Sequence, residues 1–368
     1  MTEKFDLVDL FKQMDERRAS DLHLQVGSHP AFRIKGEIVR SSEFQILDEK
    51  QLETLIYAIL SEREIALYKE KGTVDTAIGF PEIGRFRLSV FRQRGSIALV
   101  ARRLSLVIPD FNSLNLPDSI STIAEFPIGL VLVTGPTGSG KSSTLAALIN
   151  SINHKRRCHI LCIEDPIEYL YKNAEAIITQ REIGIDVPSF SEALKYAVRQ
   201  DPDVILVGEI RDRDTMEFAI RAAETGHLVF GTLHSSNATQ TIGRILNFFP
   251  PVEHSGIRKA VSMHLKAVVS QLLLPSLRED VPVVPAIEIM FVNPIIARLI
   301  SEGQDEKIMK GIRAGRNEGM QDFEQALLDL VNRGWISQDV ALGYAENPHS
   351  LEMKLRGISL SEETGIIS

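Results

Sequence analysis

The segment 129–143, GLVLVTGPTGSGKSS, decides the fold class. It begins with an uninterrupted apolar run, Gly129 to Thr134, which is typical of a strand buried on both faces of a sheet. Glycines and a lysine follow in the spacing of a phosphate-binding loop, and a predicted helix runs from Ser142 to Ile152. A strand, such a loop and a helix in this order indicate an α/β domain with an anion site at the carboxyl end of the strand.

The glycines of this loop let backbone N–H groups converge on phosphate oxygens without side chains in the way. The phosphate would lie at the N-terminus of the helix, where the dipole favours an anion. Lys141 would reach the β- and γ-phosphates, and the Ser142 hydroxyl would bind Mg²⁺. A glycine-rich turn without a ligand is the alternative, but the flanking strand and helix argue against it. The predicted nucleotide-binding residues are Gly135, Pro136, Thr137, Gly138, Ser139, Gly140, Lys141, Ser142 and Ser143.

Three more apolar runs without alternation predict further buried strands, at Ile160 to Ile163, Val204 to Val207 and Leu228 to Leu233. Predicted helices between them, at Ser191 to Arg199 and Thr215 to Glu224, imply a mainly parallel sheet. Polar side chains follow these strands, namely Glu164, Glu209 and His234. Carboxylates there can hold Mg²⁺ through water or deprotonate an attacking water, and a histidine can contact the γ-phosphate. We therefore expect ATP hydrolysis with these three residues as catalytic groups, and Mg²⁺ at Ser142 and, through water, at Glu209.

The rest of the chain predicts a division into two domains and a connecting region. Residues 1–104 indicate a small α+β domain, with a strand at Leu22 to Val26, a hairpin partner at Phe32 to Val39, a helix from Asp48 to Leu60, and strands at Thr73 to Phe80, Arg85 to Phe91 and Ile97 to Leu104. Pro and Asn residues interrupt any regular pattern at 105–118, which predicts a linker, and the predicted ATPase core follows at 119–254. Residues 255–368 are predicted to be helical, including His264 to Leu274, Pro294 to Glu302, Met320 to Arg333 and Ser337 to Glu346.

Composition limits the other classes of function. The 41 Lys and Arg against 49 Asp and Glu give a formal net charge of -8, which argues against a broad basic face for nucleic acid. The 2 cysteines, Cys158 and Cys162, cannot complete a zinc site and are expected to pack as small apolar side chains. The acidic N-terminus has no apolar stretch that predicts a signal peptide.

Four motifs, in this order, resemble those of the PilT/PilU-like pilus-retraction (twitching-motility) ATPases of the secretion-ATPase superfamily. They are GPTGSGKSS at 135–143, ILCIEDPIEYL at 160–170, DPDVILVGEIRD at 201–212 and GHLVFGTLHSSNA at 226–238. They look like the Walker A motif, aspartate box, atypical Walker B motif and histidine box of that family. ASDLHLQVG at 19–27, with NPIIARLISEG and GMQDFEQALLDL near the end of the chain, adds further similarity.

The resemblance implies a RecA-like P-loop ATPase core with a PAS-like N-terminal domain, assembled as a homohexameric ring. It implies that Glu209 is the Walker B glutamate, Glu164 the aspartate-box glutamate and His234 the γ-phosphate-contacting histidine. Arginines of the N-terminal strands, for which Arg94 and Arg102 fit best, would compensate charge at the nucleotide across an interdomain or intersubunit boundary. The implied location is cytoplasmic and peripheral, at the inner-membrane base of the pilus, with the platform protein and a paralogous pilus ATPase as partners.

Several alternatives stay open from the sequence. ARLISEG stands where the retraction family often has an AIRNLIRE-like segment, which leaves open a principal or an accessory retraction motor. The tetracysteine module common in extension and type II secretion ATPases is absent, which favours retraction over extension. A nucleic-acid translocase on the same core is disfavoured by the acidic balance, and a non-catalytic assembly protein by the intact set of Lys141, Glu164, Glu209 and His234.

Overall fold

The computed structural model describes residues 6–34, 36–80, 83–104 and 107–358. The chain divides into two units, one formed by residues 1–107 and 168–170 and the other by 108–167 and 171–368. Residues 105 and 106 of the predicted linker lie outside the described ranges, and its last residue, Asp118, begins a short 3₁₀ helix. No helix in these ranges is both long and apolar enough to cross a bilayer.

The first unit is an antiparallel sheet with helices packed around its apolar core. Its helices are α1 (Leu7–Glu16), α2 (Glu49–Tyr57) and α3 (Glu62–Lys71). Its strands are β1 (Asp21–Gln25), β2 (Ala31–Ile34), β3 (Glu37–Arg40), β4 (Thr73–Phe80), β5 (Gly84–Gln93) and β6 (Ser96–Arg103), in the spatial order β3-β2-β1-β6-β5-β4. Asp48 caps α2, accepting a hydrogen bond from the Gln51 backbone N–H. The single strand predicted for Phe32 to Val39 is wrong, because Gly36 turns the chain back at a φ of 87°.

The second unit is a seven-stranded sheet covered by helices. Its strands are β7 (Gly129–Thr134), β8 (His159–Glu164), β9 (Ile177–Glu182), β10 (Val204–Val207), β11 (Leu228–Leu233), β12 (Leu265–Arg278) and β13 (Val281–Phe291). Its helices are α4 (Lys141–Lys155), α5 (Phe190–Ala197), α6 (Arg213–Glu224), α7 (Ala238–Leu246), α8 (His254–His264), α9 (Pro294–Glu302), α10 (Ile308–Ala314), α11 (Phe323–Asn332), α12 (Gln338–Tyr344) and α13 (Pro348–Leu355).

The sheet order is β13-β12-β7-β11-β10-β8-β9, and every neighbouring pair is parallel except β12 and β13. The four predicted core strands are present and buried along nearly their whole length. Successive residues of β7 enter different cores, Leu130 and Leu132 on one face and Val131 and Val133 on the other. Burial on both faces explains why these strands read as unbroken apolar runs.

The helix predicted for His264 to Leu274 is wrong, because this stretch forms strand β12. The segment 265–274, LKAVVSQLLL, is almost continuously apolar, so its periodicity does not separate a buried strand from a buried helix. In the fold it bonds to β7 on one side and to β13 on the other. The C-terminal part of the chain therefore contributes two long strands to the core sheet. The helix predicted for Pro294 to Glu302 is present as α9.

A carboxyl group lies fully buried on β13. Glu288 has no exposed surface, and its Oε1 accepts a hydrogen bond from the Ala238 backbone at 2.7 Å, at the start of α7. Burial raises the pKa of Glu288 to about 8, and the negative charges of Asp322 and Glu346 act in the same direction. Glu288 therefore keeps its proton in the folded protein over a pH range in which the unfolded chain loses it.

Replacing Glu288 should change how stability depends on pH. Because the folded state holds more protons between the ordinary pKa of 4.5 and about 8, the free energy of unfolding falls as the pH rises through this range. Glu288→Gln keeps an acceptor for Ala238 but cannot ionise. Its melting temperature relative to wild type should therefore rise between about pH 5.5 and pH 8.5, measured by thermal unfolding.

The matched control is Glu279→Gln, at an exposed carboxylate in the turn between β12 and β13. Its melting temperature should follow that of the wild type across the same pH range. A melting-temperature difference between Glu288→Gln and wild type that does not vary with pH would contradict the proposal that Glu288 holds a proton in the folded state.

Candidate active site

The phosphate-binding loop joins β7 to α4 in a conformation that depends on glycine. Gly135 has a φ of 143°, and a Cβ built on it would lie 2.3 Å from the Gln271 carbonyl oxygen. Gly138 and Gly140 have φ values of 80° and 87°, in the left-handed region that side chains disfavour. An added Cβ on Gly138 would meet nothing within 4 Å, so this position needs glycine for its backbone angle and not for space. The Lys141 ammonium donates to the Gly135 and Pro136 carbonyl oxygens at 2.9 and 3.0 Å.

Strand β12 supports this loop from the side. The Gln271 Nε2 donates to the Ser139 carbonyl at 2.6 Å, and the Thr134 hydroxyl donates to the Ser270 Oγ at 2.9 Å. These buried bonds fix both ends of the loop to a strand that sequence reasoning assigned to a helix. The loop geometry therefore depends on the C-terminal strand pair as well as on the loop sequence.

The predicted catalytic side chains follow neighbouring strands at one edge of the sheet. His234 follows β11, Glu209 lies just beyond β10, and the His234 Nε2 is 3.2 Å from the Glu209 Oε1. The backbone beside Glu209 is fixed, because the Gly208 carbonyl accepts from the Thr232 hydroxyl at 2.6 Å and the Ile210 N–H donates to the Thr232 carbonyl at 3.0 Å. The structure thus brings the predicted histidine and Walker B glutamate into contact.

Glu209 is held among positive charges. The Arg211 guanidinium donates to the Glu209 Oε2 at 2.7 Å, and this bond lowers the pKa of Glu209. Electrostatic interactions with Arg211, His234 and Lys141 lower it further, while partial burial opposes them. The same guanidinium lies 3.7 Å from the Asp165 Oδ2, so it connects the chain segments that follow β8 and β10. Glu209 therefore remains a carboxylate at neutral pH.

Glu164 is the last residue of β8 and is only 9% exposed. Its backbone is close to that of the neighbouring strand end, because a Cβ on Gly208 would lie 3.2 Å from the Glu164 Cα. The Gln180 Nε2 on β9 donates to the Glu164 Oε1 at 3.2 Å. Glu164 and Glu209 thus lie at the carboxyl ends of adjacent strands, with different described hydrogen bonds.

The two predicted arginines lie in the first unit and are not close to each other. Arg94 is exposed in the turn before β6, with a φ of 51°, whereas Arg102 is near the other end of that strand. Residues 96 to 102 of β6 span roughly 20 Å, at about 3.3 Å per residue, and so separate the turn from Arg102. The Arg102 Nε donates at 2.8 Å to the buried Asp21 carboxylate, while the arginine side chain stays 66% exposed.

Sequence reasoning did not single out three polar side chains of this site. Arg211 stands inside the quoted GEIRD motif, so its position two residues after Glu209 was a usable signal. Gln271 was hidden by the wrong helix, and strand β9, which carries Gln180, was not predicted. The expected packing role of Cys162 agrees with its complete burial, which raises the pKa of its thiol well above the ordinary value.

Comparisons with known proteins extend over almost the whole chain. The family model described as "Type II/IV secretion system protein" matches residues 85–321. The "Type IV pilus retractation ATPase PilT" of Pseudomonas aeruginosa is 39% identical over 345 residues, 94% of this chain and 99% of that protein. The "Type IV pilus ATPase PilU" of the same organism is 37% identical, covering 94% of this chain and 90% of PilU.

Solved structures show the same similarity. A crystal structure of the pilus retraction motor PilT with bound ADP superposes with a TM-score of 0.89 at 42% identity, covering 95% of this chain and 99% of that one. The ATPase DotB of Legionella pneumophila superposes with a TM-score of 0.79 at 26% identity, covering 96% and 97%. The loop between β7 and α4, the polar groups beyond β8, β10 and β11, and these near full-length matches lead to one assignment: this chain belongs to the Type II/IV secretion system protein family.

Proposed function

We propose that this chain is an ATPase motor that uses ATP hydrolysis to drive type IV pilus retraction and thereby twitching motility. The observation that carries the proposal is the contact of His234 with Glu209 beside the Lys141 loop, in a chain similar to PilT over nearly its full length. The loop supplies phosphate binding, and the next strand ends supply the polar groups that hydrolysis needs.

The loop residues from Gly135 to Ser143 are assigned to the nucleotide phosphates. Backbone N–H groups at the start of α4 would face the anion, since the first N–H groups of a helix have no acceptor within it. The Lys141 ammonium would leave the loop carbonyls for the β- and γ-phosphate oxygens. Ser142 and, through water, Glu209 would hold Mg²⁺, and this donor set fits because Mg²⁺ prefers few protein oxygens together with waters and phosphates. The bound ion would neutralise charge on the phosphate oxygens.

The two carboxylates have different described hydrogen bonds, and this difference supports different roles for them. Glu209 is engaged by Arg211 and His234, which stabilise its charge and make it a weak proton acceptor. Glu164 contacts the neutral amide of Gln180 and is the better candidate to orient and deprotonate the attacking water. His234, whose Nε2 contacts Glu209, would report the γ-phosphate to this carboxylate.

The motor would act as a homohexameric ring in which arginines of the first unit compensate charge at the nucleotide. Arg102 suits this role better than Arg94, since Asp21 anchors its Nε and its side chain remains largely exposed. ATP bound between subunits would close one domain on the next, and hydrolysis would release it, as a ligand-biased hinge. We place the ring in the cytoplasm at the inner-membrane base of the pilus, against the platform protein, with a paralogous pilus ATPase as a further partner.

Glu209→Gln should separate binding from turnover. The amide keeps the shape of the side chain but loses the charge, so ATP hydrolysis should fall at least about 100-fold. ATP affinity should stay within a few-fold of wild type, measured with a fluorescent ATP analogue alongside phosphate release.

Two variants complete this test. Lys141→Ala should lose nucleotide binding itself, and Glu224→Gln, at an exposed carboxylate ending α6, should behave as wild type. Full phosphate release by Glu209→Gln would refute the site assignment.

Deletion of the gene should distinguish retraction from extension. A principal retraction motor predicts excess surface pili and lost twitching, because pilins still assemble but are not withdrawn. An accessory motor predicts excess or normal piliation with twitching that is only reduced. Loss of surface pili, counted by electron microscopy, would contradict retraction and indicate an extension motor.

A further inference from the structure

Strand β9 carries a glutamine whose side chain bridges two parts of the second unit. Gln180 stands beside Cys162 in the parallel pairing of β8 and β9, two residues before the position that pairs with Glu164. Its Nε2 donates to the Glu164 Oε1 at 3.2 Å, and its Oε1 accepts from the Tyr171 N–H at 3.1 Å. We propose that Gln180 is a positioning residue, which holds the Glu164 carboxylate in the orientation that ATP hydrolysis requires. This inference rests on the function proposed above.

The two partners fix the direction of the Gln180 amide. The Tyr171 backbone N–H can only donate, so it requires the amide oxygen. An ionised Glu164 can only accept, so it requires the amide nitrogen. A flipped amide would place the Gln180 oxygen against the Glu164 carboxylate oxygen. It would also place the Gln180 NH₂ group against the Tyr171 N–H. Gln180 is therefore an oriented donor aimed at Glu164.

An oriented donor matters because a glutamate side chain has three rotatable bonds. Glu164 lies at the end of β8, where its backbone is fixed by the close approach of Gly208, but its carboxylate is not fixed by the backbone. A hydrogen bond to one oxygen of the Glu164 carboxylate fixes the direction in which its second oxygen points. Misplacing a catalytic group by about 1 Å can cost about 100-fold in rate, so loss of this donor should appear mainly in kcat.

The competing explanation is that Gln180 has a purely structural role, which depends on its amide oxygen and not on its amide nitrogen. In that case Gln180 would matter only because its oxygen accepts from Tyr171 and holds the preceding loop. The two roles predict different results for a side chain that keeps the acceptor and loses the donor. Gln180→Glu is such a change, and Gln180→Leu removes both ends at similar size.

The experiment measures kcat and KM for Mg·ATP hydrolysis by purified full-length protein. A positioning role predicts that kcat falls about 10- to 100-fold in both variants, with Gln180→Glu at least as impaired as Gln180→Leu because its charge also repels Glu164. KM should change less than about threefold. If Gln180→Glu keeps wild-type kcat, the donor is dispensable and the proposal is overturned.

A matched control lies one residue earlier on the same strand. The Thr179 Oγ1 bonds to His159 Nε2 at 3.0 Å, so Thr179→Val removes a side-chain hydrogen bond of β9 that does not involve Glu164. It should leave kcat within about twofold of wild type. An equal fall in kcat for Thr179→Val would show that β9 acts only as structure and would overturn the proposal. Gln180→Glu, which is nearly isosteric, keeps the test decisive if Gln180→Leu does not fold.

A double-variant cycle separates failure of this inference from failure of the proposed function. Glu164→Gln should lose most turnover, and adding Gln180→Leu should then have little further effect, because the donor acts through Glu164. Full turnover in Glu164→Gln would overturn the role of Glu164 itself. If Glu164→Gln loses turnover and Gln180→Leu then reduces turnover further by its full single-variant factor, the positioning role of Gln180 is refuted. The proposed function would still stand in that case.

Discussion

The register of the parallel strands β7, β11, β10 and β8 is the constraint on which the candidate active site depends. Leu233 pairs with Thr134, and Val207 pairs with Ile163, so the residues that follow these strands emerge at one edge. Side chains alternate between faces, and a slip of one residue would reverse every apolar contact of a strand. The apolar cores on both faces of the sheet therefore position His234 beside Glu209.

The part of the site that the sequence could predict is the part encoded by contiguous segments. Loop 135–143 and the polar groups ending three strands follow from local patterns, because each pattern includes its own strand. The side chains that orient them could not be predicted in this way. Gln271 and Gln180 come from strands whose patterns are ambiguous or short, and their roles depend on which strands become neighbours. Arg211 needed only a closer reading of the motif.

The fold shows the same difference between elements set by neighbouring residues and elements set by long-range pairing. The boundaries of α9 are set by residues within a few positions of each other, and the sequence predicts them. Strand β12 is not predicted, because its apolar sequence suits a helix equally well. Only its pairing with β7 and β13 makes it a strand. Distant pairing, and not local propensity, decides the structure of this segment.

The bond from Gln271 to the Ser139 carbonyl has a consequence for how the motor can be divided. A fragment that ends at residue 254 would contain all four family motifs and would still lack the strand that borders β7 and supports the loop. The smallest self-sufficient nucleotide-binding unit must include β12, which carries Gln271, and β12 in turn pairs with β13. Recombination among related motors should therefore exchange segments after Phe291 more readily than within the sheet.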